Sequence, residues 1–266
     1  MSDFEHFLLT RFAVRIKPGA PLPSDEWLRS RISIFEAICL PSVLRQSTQS
    51  FSWLLFVDSS VPVATRERLE RVLPKNAEVV IVDAVCEERT IVHALLKRAT
   101  KPYVVTSRLD NDDAIDPDYI SIVQREIGRT PRVFLNFPRG LQYSRARLLA
   151  YRHASNAFIS HVDARGPHMQ TVFVDWHDRL ARHGVIRQWS EREMWLQNCH
   201  GGNVKNQERG IRVSANQHRG RYPFLVLPSE TQWGLLSDKA WTSMNLLRQV
   251  ARNPKALRRL LPTRQR

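Results

Sequence analysis

Hydrophobic residues in the first half of the chain form two kinds of segment in alternation. Short, mostly apolar runs rich in β-branched and aromatic residues predict strands. The longer segments between them, with apolar residues every three or four positions, predict helices. The strands are predicted at residues 6–16, 51–58, 78–83, 103–108 and 132–136, and the helices at residues 27–39, 63–73, 87–100 and 116–128. This order predicts an α/β fold with a doubly wound, mainly parallel sheet.

Capping residues and prolines set the predicted ends of these helices. Ser24 is the expected N-cap of the first helix, and Pro41 is expected to end it. Asp116 and Pro117 have the pattern of an N-cap followed by proline at the first helical position, and Gly128 is expected to end that helix.

The second half of the chain has a different pattern. Residues 143–151, 157–161 and 171–174 are short strand candidates with polar connections, which predicts a small antiparallel extension. Residues 189–199 are predicted to be helical. We expect one domain over residues 1–235, which divides near residue 140, followed by an extension over residues 236–266.

An acidic turn follows the strand predicted at residues 103–108. It contains Asp110, Asn111, Asp112 and Asp113. Clustered carboxylates repel one another, and a divalent cation that carries a diphosphate would offset this repulsion. Asp58 and Asp83 also end strands, so a parallel sheet brings all these acids to one edge, where such sheets bind ligands. The alternative is a solvated acidic turn that leads into a helix.

The chain lacks the other familiar nucleotide-binding and hydrolytic motifs. It contains no phosphate-binding loop, no dinucleotide fingerprint, no GxSxG and no HExxH. The three cysteines are widely spaced, which argues against a disulfide framework or a zinc site and favours a reducing compartment. With no predicted membrane span or signal peptide, the expected location is cytoplasmic.

Charge is concentrated at the C-terminal end. Of the formal net charge of +14, residues 239–266 contribute eight Lys or Arg and no acid. Trp241, Met244, Leu247 and Val250 recur there at helical spacing. This predicts a basic amphipathic segment on an anionic membrane surface, which would make the protein peripheral on the inner face of the membrane. A terminal helix packed on the domain and a disordered basic end are the alternatives. The body is only mildly basic, so no nucleic-acid partner is expected.

Several stretches together resemble a known family. The segment from Arg108 to Asp113 resembles the DxD element of GT-A glycosyltransferases. Residues 10–12, residues 35–58, and Trp195-Leu196-Gln197 leading into His200 resemble the rhamnosyltransferase family within that fold. The resemblance spans about residues 6–206. It implies a GT-A-like fold, with a nucleotide-binding half over residues 1–140 and an acceptor half over residues 141–235. It also implies a nucleotide-sugar donor, Mn²⁺ or Mg²⁺, and transfer to a hydroxyl of a glycan or lipid-linked acceptor.

The resemblance also implies roles for individual residues. Asp110 and Asp112 match the pair that holds the metal and the donor ribose, Asp113 is a substitute ligand, and His200 matches a distant histidine ligand. His200 could instead end the helix predicted at residues 189–199. The remaining implied residues fall into two groups: donor contacts at Arg11, Asp58, Asp83, Arg108 and Asn111, and a catalytic base at Glu191 or Glu193.

The function implied is metal-dependent sugar transfer, with inversion at the sugar carbon, in the synthesis of a surface polysaccharide or another glycan. Rhamnose is implied by the family name alone. The basic loop over residues 205–221 is a further candidate for neutralising the diphosphate. A metal-dependent nucleotidyltransferase and a non-enzymatic nucleic-acid-binding module are the alternative functions.

Overall fold

Twelve strands and six helices make up this computed structural model, which describes residues 3–21, 23–83, 85–200 and 208–252. The strands are β1 (Phe4–Ala13), β2 (Ser52–Asp58), β3 (Ala77–Val82), β4 (Tyr103–Arg108), β5 (Ala114–Ile115), β6 (Val133–Asn136), β7 (Arg139–Ser144), β8 (Arg147–Arg152), β9 (Ile159–Ala164), β10 (Val185–Gln188), β11 (Trp195–Asn198) and β12 (Ile211–Arg212). The helices are α1 (Asp25–Ile34), α2 (Leu40–Leu44), α3 (Val63–Val72), α4 (Glu88–Leu96), α5 (Tyr119–Glu126) and α6 (Gln232–Arg252).

Seven strands form the main sheet, in the order β10-β6-β9-β4-β1-β2-β3. β3, β2, β1 and β4 are mutually parallel, and β9 runs antiparallel to both β4 and β6. Because Asp58 pairs with Val82 and Arg108 with Leu9, the carboxyl ends of β2, β3 and β4 lie at one edge. The predicted α/β fold class, a mainly parallel sheet with a smaller extension and a C-terminal helix, is confirmed.

Both faces of the main sheet are covered, as its apolar strands predict. Leu8 of β1 packs with Phe35 and Trp53 on one face, whereas Leu9, the next residue, packs with Leu54 and helix α4 on the other. Successive side chains of a strand point to opposite faces, so a strand buried on both sides must be apolar at every position.

The smaller sheet carries the second half of the site. Its order is β12-β8-β7-β11-β5, and β5 continues directly from the acidic turn. β11 pairs antiparallel with β5, Trp195 opposite Ile115, and parallel with β7. The end of β11 therefore lies beside the acidic turn.

The first helical segment starts as predicted and continues beyond its predicted end. Ser24 is its N-cap, because the Ser24 hydroxyl accepts a hydrogen bond from the amide of Trp27 at 3.2 Å. The expectation that Pro41 ends the helix is wrong. A π-helical turn over Phe35–Cys39 lets the amide of Leu40 donate to Phe35, five residues back, and α2 follows with Pro41 in its first turn. A π-turn accommodates a proline because the carbonyls around it are already displaced from the α pattern.

Several predicted elements differ from the structure. The single strand expected at residues 143–151 is the end of β7, a turn and most of β8. The helix expected over residues 189–199 is wrong, because Trp195–Asn198 forms β11. Residues 171–174 form turns and not a strand. α5 begins at Tyr119, and Asp116 accepts a hydrogen bond from the amide of Asp118 in the turn before it. Gly128 follows α5 with φ of +73°, the left-handed conformation expected after a helix.

Candidate functional site

The acidic turn is fixed to the end of β1 by one amide side chain. Asn111 donates to the carbonyls of Phe12 at 2.6 Å and Arg11 at 3.2 Å, and its own oxygen accepts from Arg31 at 3.2 Å. Asn111, implied to be a donor contact, is buried and engaged in these bonds. Its position keeps the flanking residues Asp110 and Asp112 at the edge of the sheet.

Negative charge is crowded at this turn. Burial, together with the charges of Asp112 and Asp110, raises the pKa of Asp113 well above its usual value. The same negative charges also raise the pKa values of two cysteine thiols near the turn. Burial and the three aspartates raise the pKa of Cys39, and burial with Asp113 raises that of Cys199 to about 12. The turn therefore favours a cation in its surroundings.

Two arginines partly neutralise the turn. Arg108 binds both carboxylate oxygens of Asp110, at 3.0 and 2.9 Å. Burial would raise the pKa of Asp110, and Arg108 outweighs it and keeps that pKa below its usual value. Arg31 lies 2.5 Å from Oδ2 of Asp112, with both side chains nearly buried. Arg31 belongs to α1. From the sequence, a basic residue in an amphipathic helix is expected to face solvent, whereas Arg31 is buried.

His200 lies against the acidic turn. Its Nε2 is 3.1 Å from Oδ2 of Asp112, although the two residues are 88 positions apart in the chain. The strand β11 positions His200. The amide of Asn198, at the end of β11 and two residues before His200, donates to the carboxylate of Asp113 at 2.9 Å. The alternative role of His200 as the cap of a helix is wrong, since no helix precedes it.

The side-chain atoms available beside Asp112 fit the coordination of a divalent cation that binds together with a diphosphate. Among the residues that the structure describes, no three His, Cys, Asp or Glu side chains form a ready-made metal cage. Asp112 and His200 nevertheless place a carboxylate oxygen and an imidazole nitrogen 3.1 Å apart. Mg²⁺ in nucleotide sites commonly takes one or two carboxylates from the protein and the rest of its ligands from phosphate and water, and Mn²⁺ also accepts an imidazole.

A cationic and aromatic wall lies beside Asp110. The guanidinium groups of Arg11 and Arg108 lie 4.2 and 5.3 Å from the ring centroid of Phe173. Burial and the charge of Arg108 lower the pKa of Arg11 to about 10, so the group stays protonated at neutral pH. Two guanidinium groups on one ring suit a bound polyanion.

A half-buried acid, Glu88, fixes the segment that precedes Phe173. The carboxylate of Glu88 accepts from the amide of Thr171 at 2.5 Å and from its hydroxyl at 2.6 Å. The amide of Val172 donates to Thr106 of β4 at 3.2 Å. These bonds fix the segment before Phe173 against the sheet.

The two strand-ending aspartates have different surroundings. Asp58 is fully buried, and its carboxylate accepts from Arg15 at 2.8 Å and from the hydroxyl of Ser60 at 2.5 Å. Burial would raise its pKa, and the bonds from Ser60 and Arg15 keep that pKa below its usual value. Asp83 is exposed at the end of β3, and its carbonyl accepts from Arg15. Arg15 thus links the two neighbouring strand ends.

The structure does not bring Glu193 to the acidic turn. β11 runs antiparallel to β5, so Glu193 lies near Asp116, at the other end of this strand pair from Asp113. Its carboxylate pairs with Arg139 at 2.6 Å. Glu191 is exposed on the loop before it, and its carbonyl accepts from Arg139.

Four residues of the site were missed from the sequence: Arg31, Glu88, Thr171 and Phe173. Thr171 and Phe173 were assigned to a strand, and Arg31 and Glu88 have no spacing that connects them to the acidic turn. The polar residues Asp175, His177 and Asp178 after Val174 were a signal for a loop. Gly201, Gly202 and Asn203, and part of the basic loop, lie outside the described residues.

Several solved structures resemble the chain at low identity. Residues 1–349 of S. aureus TarS, in complex with UDP-GlcNAc, match at 11% identity and a TM-score of 0.43, over 77% of this chain and 62% of that one. The inositol-1-phosphate CTP transferase from T. maritima matches at 9% and 0.38, over 77% and 93%. HddC from Yersinia pseudotuberculosis matches at 9% and 0.38, over 71% and 91%. The chain spans less than two thirds of the TarS structure.

Sequence comparison gives a more specific result. No curated protein matches the chain. One family, however, matches residues 18–212, which includes the acidic turn, the segment that positions Phe173, and His200. That match covers most of the chain. The chain therefore belongs to the family described as "Putative rhamnosyl transferase".

Proposed function

We propose that this chain transfers a sugar from a nucleoside diphosphate donor to an acceptor hydroxyl, with Mg²⁺ or Mn²⁺ held by Asp112 and His200. Family membership supports a nucleotide-sugar glycosyltransferase. The observation that carries the metal-dependent form is the meeting of Asp112 and His200 at 3.1 Å, at the carboxyl edge of a parallel sheet. Asp110 and Asp113 complete the acidic surroundings of the proposed ligands.

In the proposed reaction the bond from the sugar C1 to the diphosphate breaks, and the acceptor oxygen bonds to C1. The acceptor proton passes to a carboxylate, and the nucleoside diphosphate leaves with the bonding electrons. A bound divalent cation supplies Lewis-acid stabilisation of that leaving group. Arg108 and Arg11 contribute fixed positive charge on the same side, where negative charge develops in the transition state.

The rest of the donor is proposed to extend along the sheet edge from Asp110 toward β2 and β3. Asp83 is exposed there and is the proposed contact for the nucleoside. Asp58 is occupied by Arg15 and Ser60, so its proposed role is to position Arg15 at this end of the site. An Asp58→Asn variant would then weaken nucleotide binding through Arg15.

Glu191, which the family resemblance implies, is the proposed general base, because its side chain is exposed whereas the carboxylate of Glu193 is engaged with Arg139. Both residues precede β11, so the acceptor hydroxyl would have to reach the donor from this end of the strand. A general base contributes about 10²–10⁴-fold to rate, so Glu191→Gln is expected to lower kcat by at least 100-fold with donor binding unchanged. Glu193→Gln is the comparison variant. The assignment is wrong if Glu193→Gln loses turnover and Glu191→Gln keeps it. Inversion at C1 is read from the anomeric configuration of the product.

A donor screen by thermal shift is the first experiment. UDP-, GDP- and dTDP-sugars, dTDP-rhamnose among them, are tested with and without Mn²⁺ on the wild type, His200→Ala and the control Asp25→Asn at an exposed position of α1. We expect one nucleotide class to stabilise the wild type and the control only when Mn²⁺ is present, and His200→Ala to lose most of this response. Equal responses of all three proteins would contradict the proposed site.

The released product separates the two enzyme classes. A glycosyltransferase releases a nucleoside diphosphate, whereas a nucleotidyltransferase that acts on a nucleoside triphosphate releases pyrophosphate. Release of pyrophosphate from a triphosphate, with no turnover of sugar nucleotides, would replace the proposed function.

A further inference from the structure

The C-terminal helix α6 is attached to the domain by its polar side. Thr242 is buried, and its hydroxyl accepts from the amide of Arg212 at 3.0 Å. Asp238 pairs with Arg147 at 3.4 Å and with Arg212 at 3.5 Å. Gln249 donates to the carbonyl of Glu208 at 3.1 Å. These bonds fix the rotation of the helix about its own axis.

The opposite side of α6 carries an apolar stripe that faces away from the domain. Its large members are exposed: Trp233 by 84%, Leu236 by 58%, Met244 by 45% and Leu247 by 70%. Exposed Ala240 and Ala251 continue the stripe at steps of three or four residues, the spacing of one helical face. The helix is 21 residues long, so the stripe extends over about 30 Å. A surface helix that only covers a core turns its apolar face inward, and α6 has the reverse orientation.

Charges flank the stripe without interrupting it. Lys239 and Arg248 are exposed, and at about 100° per residue they lie roughly 80–100° to either side of the stripe. Asp238 is the only acid in the sequence of α6, and it faces the domain. The chain from residue 239 to residue 266 adds basic residues and no acid. The outward side is therefore apolar at its centre and cationic at its margins.

We propose that this outward face of α6 lies flat on an anionic lipid bilayer. The apolar stripe would enter the boundary between headgroups and acyl chains, and the flanking cations would meet lipid phosphates, each worth about 1 kcal/mol near the surface. No helix in the described residues is long and apolar enough to cross a bilayer. The proposal concerns where the protein is held, and it is independent of the proposed sugar transfer.

Charge complementarity selects a bilayer over a second copy of the chain. Two such helices packed along their stripes would place the exposed cations Lys239 and Arg248 of both copies beside one apolar seam. The outward face has no acid to pair with them, whereas helix pairs of this kind usually match charges beside the apolar seam. An anionic surface supplies the missing charge.

The location of the stripe corrects part of the sequence-based pattern. Met244 and Leu247 are on the exposed face as expected. Trp241, 45% exposed, and the half-buried Val250 lie beside the stripe and not on it, and Trp233 and Leu236 extend the stripe to the start of the helix. The helix starts at Gln232, so it crosses the predicted boundary at residue 235. Residues 253–266 lie outside the described residues.

Vesicle co-sedimentation of the full chain tests the proposal. The probes are phosphatidylcholine vesicles with and without phosphatidylglycerol. The test variant is Leu236→Glu with Leu247→Glu. The control is Val63→Glu with Val185→Glu, which makes the same change at two exposed aliphatic residues on other elements. We expect wild type and control to bind anionic vesicles, and the stripe variant to bind at least about tenfold more weakly.

A position-specific readout accompanies the binding curves. If Trp233 enters the acyl boundary, brominated lipids quench wild-type fluorescence more than that of Trp233→Phe, and the difference spectrum is blue-shifted. Equal binding of wild type and stripe variant, with binding abolished by salt, would mean that only the basic tail adheres, and the proposal would be wrong. A concentration-dependent dimer in analytical ultracentrifugation that the stripe variant disrupts would assign the face to a second copy and would also overturn the proposal.

Discussion

At the residue scale, the site depends on buried charges that come from distant parts of the chain. Arg31 and Asp112 expose only 11% and 12% of their side chains, and Arg31 also lies over the ring of Trp27 at 4.7 Å. From the sequence, the acidic turn was noticed because acids at the ends of parallel strands converge at one edge of the sheet, and His200 was implied by the family resemblance. Arg31 was not found, since a lone arginine within a helical pattern carries no information about a partner 81 residues away.

Removal of Arg31 is expected to have two opposite effects. Arg31→Met leaves Asp112 buried without its guanidinium partner, so the metal-free protein should lose on the order of 3 kcal/mol of unfolding free energy. Added Mn²⁺ should then stabilise the variant more than the wild type, because the cation no longer competes with Arg31 for Asp112. Both effects are measured by urea unfolding with and without Mn²⁺.

Arg68→Met is the matched control for that experiment. Arg68 pairs with Glu36 at 2.7 Å on the surface, where removal of an ion pair costs about 1 kcal/mol or less. If Arg31→Met and Arg68→Met show the same loss of unfolding free energy and the same response to Mn²⁺, then Arg31 does not neutralise the charge of Asp112 in the acidic turn.

At the element scale, β11 connects the site to the smaller sheet. Its apolar residues, with Trp189 and Met194 before them, also fit a helical period, so the local pattern favoured a helix. Pairing with β5 on one side and β7 on the other overrides that preference, and such pairing between distant segments leaves no local signal. The strands β2, β3 and β4 were predictable because burial on both faces makes them apolar throughout.

The contact between β7 and β11 leaves no room for a side chain at Gly140. A Cβ there would lie 2.1 Å from Cδ2 of Trp195, which is itself stacked on Phe158 with centroids 4.7 Å apart. Gly140→Ala should therefore destabilise the protein by about 3 kcal/mol or more. Gly166→Ala is the control, since no atom lies within 4 Å of its Cβ position, and it should change stability by less than about 0.5 kcal/mol. Similar urea midpoints for both variants would show that β11 does not pack against β7 in this way.

At the scale of the whole molecule, the parallel sheet was predictable and the orientation of α6 was not. Periodicity shows that a helix has an apolar side, but only the contacts of Thr242 and Asp238 show that this side faces away from the domain. Burial of ionisable groups in the main sheet is likewise a property of the assembled fold. His6 in β1 and His161 in β9 are both buried, and burial lowers the pKa of each to about 3.

Because of these two histidines, we expect the free energy of unfolding to decrease when the pH is lowered from 7 to 5. Their pKa values are lower in the folded chain than in the unfolded chain, where they are about 6.5, so the unfolded state takes up protons first. The stabilisation is present above pH 6.5 and is lost as the pH falls toward 3, by about 2 kcal/mol per histidine between pH 7 and pH 5.

His161→Phe tests this pH dependence. The imidazole already packs on Phe134 with centroids 4.2 Å apart, so phenylalanine fits the chemistry of its surroundings. Between pH 7 and pH 5, the unfolding free energy of the variant should fall by about 2 kcal/mol less than that of the wild type, measured by urea unfolding. His93→Phe, at an exposed position of α4, should keep the wild-type slope. An unchanged slope in His161→Phe would mean that His161 is not buried in its neutral form.

The most direct test of the site is calorimetric titration of the nucleoside diphosphate selected by the donor screen, with and without Mn²⁺, into wild type and Asp112→Asn. Asparagine keeps the size of the side chain and removes its charge, so it separates metal binding from packing. We expect Mn²⁺ to tighten nucleotide binding by the wild type at least tenfold and to have no effect on Asp112→Asn. The same Mn²⁺-dependent gain in both proteins would contradict the assignment of Asp112 as the ligand on which the proposed site depends.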